Sequence, residues 1–483
     1  MRERVVPIDT APEPAPKVHF RINHLHGLYT FVWKLARRPS ETTPCAATYF
    51  DTPDRQRLLA DFADLVPFGA SLCGAPAEPA SQPWNLDRLC AVAAGHARDI
   101  SDFRERLTAW MPHVDVSRLA YILEQFRPMY DDLVWLRSEP VLRRWQRFLQ
   151  RYARRRGLEA LIGRIARFYA TTWDPAVPFR VLLHPTLTGD RVSATIDSNV
   201  VTLYVPGEPR DAARYLGIVT HEMCHGFDEC RRHRLNDIRE ATSAGDASAL
   251  AVYSRLALDE ALATVIGNGW AVSRLAGRLP GGPLYDNWHI QTYAAALHSL
   301  VDEYLDRGKT LDQAFFEHAL MAYQSAIGDR MWDYENVFAH VVVLADEGIR
   351  SKEGSAAARL AAHVDYLANA EELDGINEDN LERLLKGSAT RLVVLMVGND
   401  AGLRDVRARV DWLRQVHFPR HEPFVAGRVG GDDPALFLCS IASLTDLENA
   451  LDELQKHWIT EGILAFAPRL RTSGRDSVCS RCA

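Results

Sequence analysis

The chain has 483 residues, 47% of them hydrophobic and 25% charged, with a net charge of −7. That composition belongs to a globular protein of about two to four domains of ~100–200 residues, with a core large enough to hold without disulfides. The negative balance gives no electrostatic reason for a nucleic-acid partner, and the absence of any run of about 18 apolar residues predicts no membrane span.

Residues 1–18 are rich in Pro and Ala and read as a flexible tail. They lack the apolar run of about 7–15 residues that a secretory leader carries. The eight cysteines are scattered, so reduced thiols in a cytoplasmic protein are expected. Cys479 and Cys482 form a C-x-x-C in the tail 471–483, but two ligands do not make a structural zinc site.

Residues 19–168 read as a helical N-terminal domain. Leu119, Ile122, Leu123 and Phe126 recur at three- and four-residue steps, as do Trp145, Phe148, Leu149 and Tyr152. The arginine clusters here, such as Arg154-Arg155-Arg156, read as solvated helix faces. The segments 178–185 and 199–206 are rich in β-branched and aromatic residues and predict two strands, with a turn at Gly189-Asp190. Helices are expected over 209–232, 246–266, 287–306, 311–325 and 333–347, then near 355–369 and 378–386. Over 388–470 the pattern becomes strand 391–397, helix 403–415, strand 435–441, helix 445–457 and strand 462–466, a small α/β module. Val429-Gly430-Gly431 precedes a strand and reads as a plain turn, with no phosphate-cradling role.

One segment carries chemistry. His221-Glu222-Met223-Cys224-His225 lies in the predicted helix that follows the second strand. Residues four apart share a helix face, with Cβ atoms about 5–6 Å apart, so two imidazoles converge on one point. Zinc accepts imidazole nitrogen at about 2.0–2.1 Å, and Glu222 is placed to act as general base beside the open position. A third ligand is still needed. Glu229 lies about 12 Å along the helix from His221, too far to share the ion. Arg231 and Asp228 stand where a metzincin has its third histidine and its glycine.

Glu260 is the better candidate. Its helical neighbours are Leu256, Ala257, Ala263 and Thr264, a small and mostly apolar stripe, and a carboxylate buried there needs a cation. Asp259 has Arg255 four residues before it and reads as half of a surface ion pair.

On His221-Glu222-x-x-His225 and Glu260 within Asp-Glu-Ala-Leu-Ala-Thr, residues 178–306 resemble the gluzincins, zinc peptidases typified by thermolysin. The resemblance implies a zincin-like catalytic domain, over about 169–387, whose motif helix packs beside a small sheet with an edge strand that binds extended peptide. It implies one zinc ion held by His221, His225 and Glu260, with Glu222 as the base. Thermolysin-like enzymes often carry an aspartate four residues after the ligand glutamate to orient a zinc histidine. Thr264 occupies that place here, leaving Asp228 as a candidate for the orienting role. The resemblance also implies an oxyanion donor from a later helix, for which His289 and Tyr293 share one face; that same stripe also reads as core.

The expectation is therefore an α+β, mainly helical chain with a zincin-like catalytic domain, a helical N-terminal domain and a small C-terminal α/β module. Its expected function is zinc-dependent hydrolysis of peptide bonds in a peptide or protein substrate. The alternatives are a catalytically silent zincin-like scaffold used for binding or regulation, and a metal hydrolase acting on a non-peptide amide.

Overall fold

The computed structural model describes residues 15–37, 52–66, 85–171, 173–187, 192–243, 248–278, 280–347, 349, 355–364, 366–387, 389–419, 422–430, 433–459 and 461–465. The tail through residue 14, the turn at Gly189-Asp190, Gly431, the tail 471–483 and Cys479-x-x-Cys482 lie outside them. The chain is a mixed α/β protein, mainly helical, with two mixed sheets. Among the described residues no helix is long and apolar enough to cross a membrane. Cys90, Cys224, Cys230 and Cys439 are free thiols.

Two compact units emerge. The first takes Met1–Arg239, Asp259–Asp286 and Ala294–Phe316; the second takes Glu240–Leu258, Asn287–Tyr293 and Glu317–Ala483.

In the first unit, helices His24–Arg37, Pro53–Leu65, Leu86–His96, Ile100–Leu107 and His113–Tyr130 close on a core that includes Leu28, Val32, Phe62, Phe103, Leu123 and Phe126. Asn85 and Asp99 cap the third and fourth of these, each accepting from a backbone N–H three residues on. Helix Leu136–Arg156 buries Leu142, Trp145, Leu149 and Ala153, while Phe148 and Tyr152 of the expected stripe are half-buried. It stops at Gly157, whose φ of 68° is the left-handed turn that glycine adopts without strain.

The sheet of this unit has four strands in the order β1-β2-β4-β3, with β1 Val18–Arg21, β2 Phe179–Pro185, β3 Ser193–Asp197 and β4 Val200–Val205. β1, β2 and β4 run parallel, while β3 pairs antiparallel with β4 and forms one edge. β1 corrects the sequence reading, which placed the flexible tail up to residue 18. Val18 to Arg21 pair with Phe179 to Leu182 along β2, a partner some 160 residues away that local pattern cannot announce.

The second unit is built on a six-stranded sheet in the order β10-β8-β9-β7-β5-β6. Its strands are β5 His340–Ala345, β6 Asn369–Asp374, β7 Thr390–Met396, β8 Phe424–Arg428, β9 Leu436–Ile441 and β10 Glu461–Ala465. β6, β5, β7 and β9 are parallel; β8 and β10 are antiparallel to their neighbours. Helices cover both faces, with one core around Val343, Val394, Phe437 and Leu451 and another around Leu344, Val393, Leu413 and Leu438.

The helix expected over 333–347 is therefore corrected. Only Tyr334–Val337 is helical, and Val341 to Leu344 form a buried strand. A short, continuous apolar run has no periodicity to separate strand from helix. β6 and β8 were likewise not expected, and the helix expected over 403–415 breaks at Val410.

Candidate metal centre

The motif sits on helix Ala212–Ser243, which starts after Asp211, whose carboxylate accepts from Arg214 N at 3.3 Å. Tyr215, Leu216, Val219, Met223, Cys224 and Phe227 are all buried, so this helix packs on several sides. Glu260 comes from helix Ala249–Ala263, which passes directly into a π-helix, Thr264–Ala271.

Glycine lets these two segments meet. A Cβ on Gly267 would lie 2.4–2.6 Å from the N, Cα and Cβ of His221. A Cβ on Gly217, one turn earlier on the motif helix, would meet Val272 Cγ2 at 2.3 Å and Gly267 O at 2.9 Å. No side chain fits at either place, so the backbones themselves set the distance between the histidines and the glutamate.

Three residues converge. His221 Nε2 and His225 Nε2 are 3.2 Å apart, Glu260 Oε1 is 3.2 Å from the first, and Glu260 Oε2 is 3.4 Å from the second. A tetrahedral ion with bonds of about 2.0–2.1 Å spaces its ligands about 3.3–3.4 Å apart, so the residues fit such an ion. The proton inventory agrees. Asp259 Oδ2 lies 3.2 Å from His225 Nδ1 and can only accept, which puts a proton on Nδ1 and leaves Nε2 as the ring atom that can serve a cation. Nε2 faces Glu260 and His221, where either its own proton or a bound cation balances the carboxylate. With protein groups alone, burial opposes charge on His225, but Asp259 and Glu260 hold its pKa well above the usual range. Burial likewise opposes charge on Glu260, and His221 and His225 draw its pKa well below the usual carboxylate value.

Glu222 stands half-buried beside the cluster, and burial pushes its carboxyl upward against the pull of His221 and His225. Tyr285 stacks over His221 at 6.2 Å between ring centres and 11° between planes. Burial, a hydrogen bond to Glu260 and the charge of Glu222 keep its hydroxyl protonated far above the usual phenol range.

No family model, curated protein or solved structure matches this chain.

Of the residues singled out by sequence, His221, His225 and Glu260 come together, with Glu222 beside them. Asp259, expected to face Arg255, brings its Oδ2 within 3.2 Å of His225 Nδ1, an orienting position of the kind considered for Asp228, which is buried on the motif helix. Glu229 takes both terminal nitrogens of Arg88 at 2.5 Å, and Arg88 Nε lies 3.5 Å from Asp197 at the end of β3. Burial, reinforced by Asp87, Glu229 and Glu222, lifts Asp197 to about 7 in spite of Arg88.

His289 and Tyr293 belong to the core of the second unit. His289 Nε2 pairs with Tyr323 Oη at 2.9 Å; Tyr293 Oη meets Ser254 Oγ at 3.1 Å and donates to Ala319 O at 3.2 Å. Burial lowers His289 to about 4. The aromatic stripe that suggested them is core packing. Tyr285 carried no sequence signal beyond its place in the loop before Asp286.

Proposed function

We propose that the chain is a gluzincin-like zinc peptidase, an enzyme that hydrolyses peptide bonds. The observation that carries the reading is the near-tetrahedral spacing of His221, His225 and Glu260, with a carboxylate, Glu222, and a protonated phenol, Tyr285, around it. Two imidazoles and one carboxylate that leave a position open are the ligand set of catalytic zinc. When bound, zinc supplies Lewis acidity, polarising a carbonyl and making water a usable nucleophile near neutral pH.

The protein groups do the rest. Glu222, with its carboxyl pushed upward, takes the proton of the attacking water and passes it to the leaving amine. Tyr285 donates its hydrogen to the oxyanion of the tetrahedral intermediate. β3 is the antiparallel edge of its sheet and packs on the motif helix, where a Cβ on Gly226 would lie 3.0 Å from Ile196 Cδ1. An edge strand offers backbone groups to an extended peptide, which favours peptide over other amides as substrate. The sheet, motif helix and ligand helix in this order are what supports a zincin-like architecture.

Metal analysis with a peptide-library assay tests the proposal. The expected result is about one zinc per chain, and a Glu222→Gln protein that keeps its zinc and cleaves nothing. Equal cleavage by wild type and Glu222→Gln rejects the peptidase reading.

A further inference from the structure

Resting on the zinc reading, we propose that His221 is held by a neutral arm, a buried water shared by Thr264 and Asn268. Glu260 touches the far nitrogen of His221, and Gly267 touches its backbone. Thr264 lies four residues after the first and three before the second, on the stripe that faces this histidine. Its side chain is fully buried, and its Oγ1 has no hydrogen-bond partner. His221 Nδ1 is buried and equally without a partner. So is Asn268 Oδ1, although the amide nitrogen of Asn268 donates to Leu284 O at 3.1 Å. In a π-helix one turn takes about 4.4 residues, so Thr264 and Asn268 stand one above the other.

The inventory closes with one water. A histidine that offers Nε2 to a cation keeps its proton on Nδ1 and needs an acceptor. A water accepts from His221 Nδ1–H and from the Thr264 hydroxyl, whose hydrogen has no other acceptor, and donates to Asn268 Oδ1. Three polar partners are what a buried water ordinarily has. The two histidines are then held differently, His225 by the carboxylate of Asp259 and His221 by a neutral chain. A neutral acceptor leaves His221 the less basic ligand and the ion the more electrophilic.

The test is zinc affinity of chelator-treated protein, measured by competition with a chromophoric chelator, together with thermal melts. Thr264→Ser should bind within about twofold of wild type, and Thr264→Val about tenfold more weakly. Thr264→Asp, which supplies a charged acceptor, should bind more tightly. Asn268→Ala repeats the loss from the other side if Thr264→Val fails to fold. If Thr264→Val and Asn268→Ala both bind like wild type, the water arm is wrong while the zinc site stands. A wild type that takes up no stoichiometric zinc overturns the metal reading and this inference with it.

Discussion

The first unit contains two histidine pairs with nearly equal spacing and opposite chemistry. His221 and His225 place their Nε2 atoms 3.2 Å apart; His26 Nδ1 and His184 Nε2 are 2.9 Å apart. Around the first pair stand Glu260 and Asp259. Around the second no carboxylate among the described residues acts on either ring, and burial takes His26 down to about 3. His184 is lowered too, by burial, His26 and the charge of Lys34. The His26–His184 pair is a neutral hydrogen bond inside a core, one ring donating and the other accepting. Proximity of two imidazoles does not make a metal site. The carboxylates beside His221 and His225 are what make that cluster a candidate for one.

The largest effect that separates the pairs is metal content. Replacing His225 or Glu260 by Ala should reduce bound zinc from about one per chain to near zero, whereas His184→Gln should leave it unchanged. Zinc lost on changing His184 would break the comparison.

Next comes packing. Gly267→Ala drives a methyl into the backbone of His221, where nothing flexible can yield. Overpacking of this kind costs about 1–3 kcal/mol. Urea unfolding should register that loss, and zinc affinity should fall with it. Gly157→Ala, with nothing within 4 Å, should leave zinc binding as it was.

Acid provides a third contrast. The unfolded chain protonates His26 near pH 6.5 while the folded chain resists to about 3. Stability from this group is therefore full above about pH 6.5 and declines as pH falls, by about 1.4 kcal/mol per unit and about 2 kcal/mol at pH 5. His225 in chelator-treated protein has the opposite sign. Its raised pKa gives stability that is full in mild acid and lost as pH rises through that pKa. Urea midpoints at pH 7 and pH 5 should show the first decline, made shallower by His26→Gln.

Much of the candidate metal site was legible because its signals are local. Four-residue spacing brings His221 and His225 together, and the alanines flanking Glu260 mark a face that packs closely. What was illegible depends on distant partners. Asp259 has Arg255 one turn away in sequence, yet its Oδ2 holds His225 from a different helix. Val341 to Val343 could belong to a helix or a strand until β6 and β7 flank them. His289 and Tyr293 share a helix face as expected, but that face is filled by Tyr323, Ser254 and Ala319. Periodicity reports that a face is buried and is silent on what it meets.

Asp259 carries the smallest of the expected effects and the finest test of the comparison. If carboxylates are what turn a histidine pair into a cation site, removing one charge while keeping its shape should weaken the site without abolishing it. Asp259→Asn still presents an oxygen to His225 Nδ1, so tautomer and ring orientation are retained. Only the charge behind the ligand is lost. Such changes cost metal affinity about tenfold, or about 1.4 kcal/mol. The expected outcome is zinc bound at one per chain with the weaker constant, and no change in urea stability of the zinc-loaded protein beyond that difference. An Asp259→Asn protein that binds zinc as tightly as wild type would mean that Glu260 alone distinguishes the two pairs.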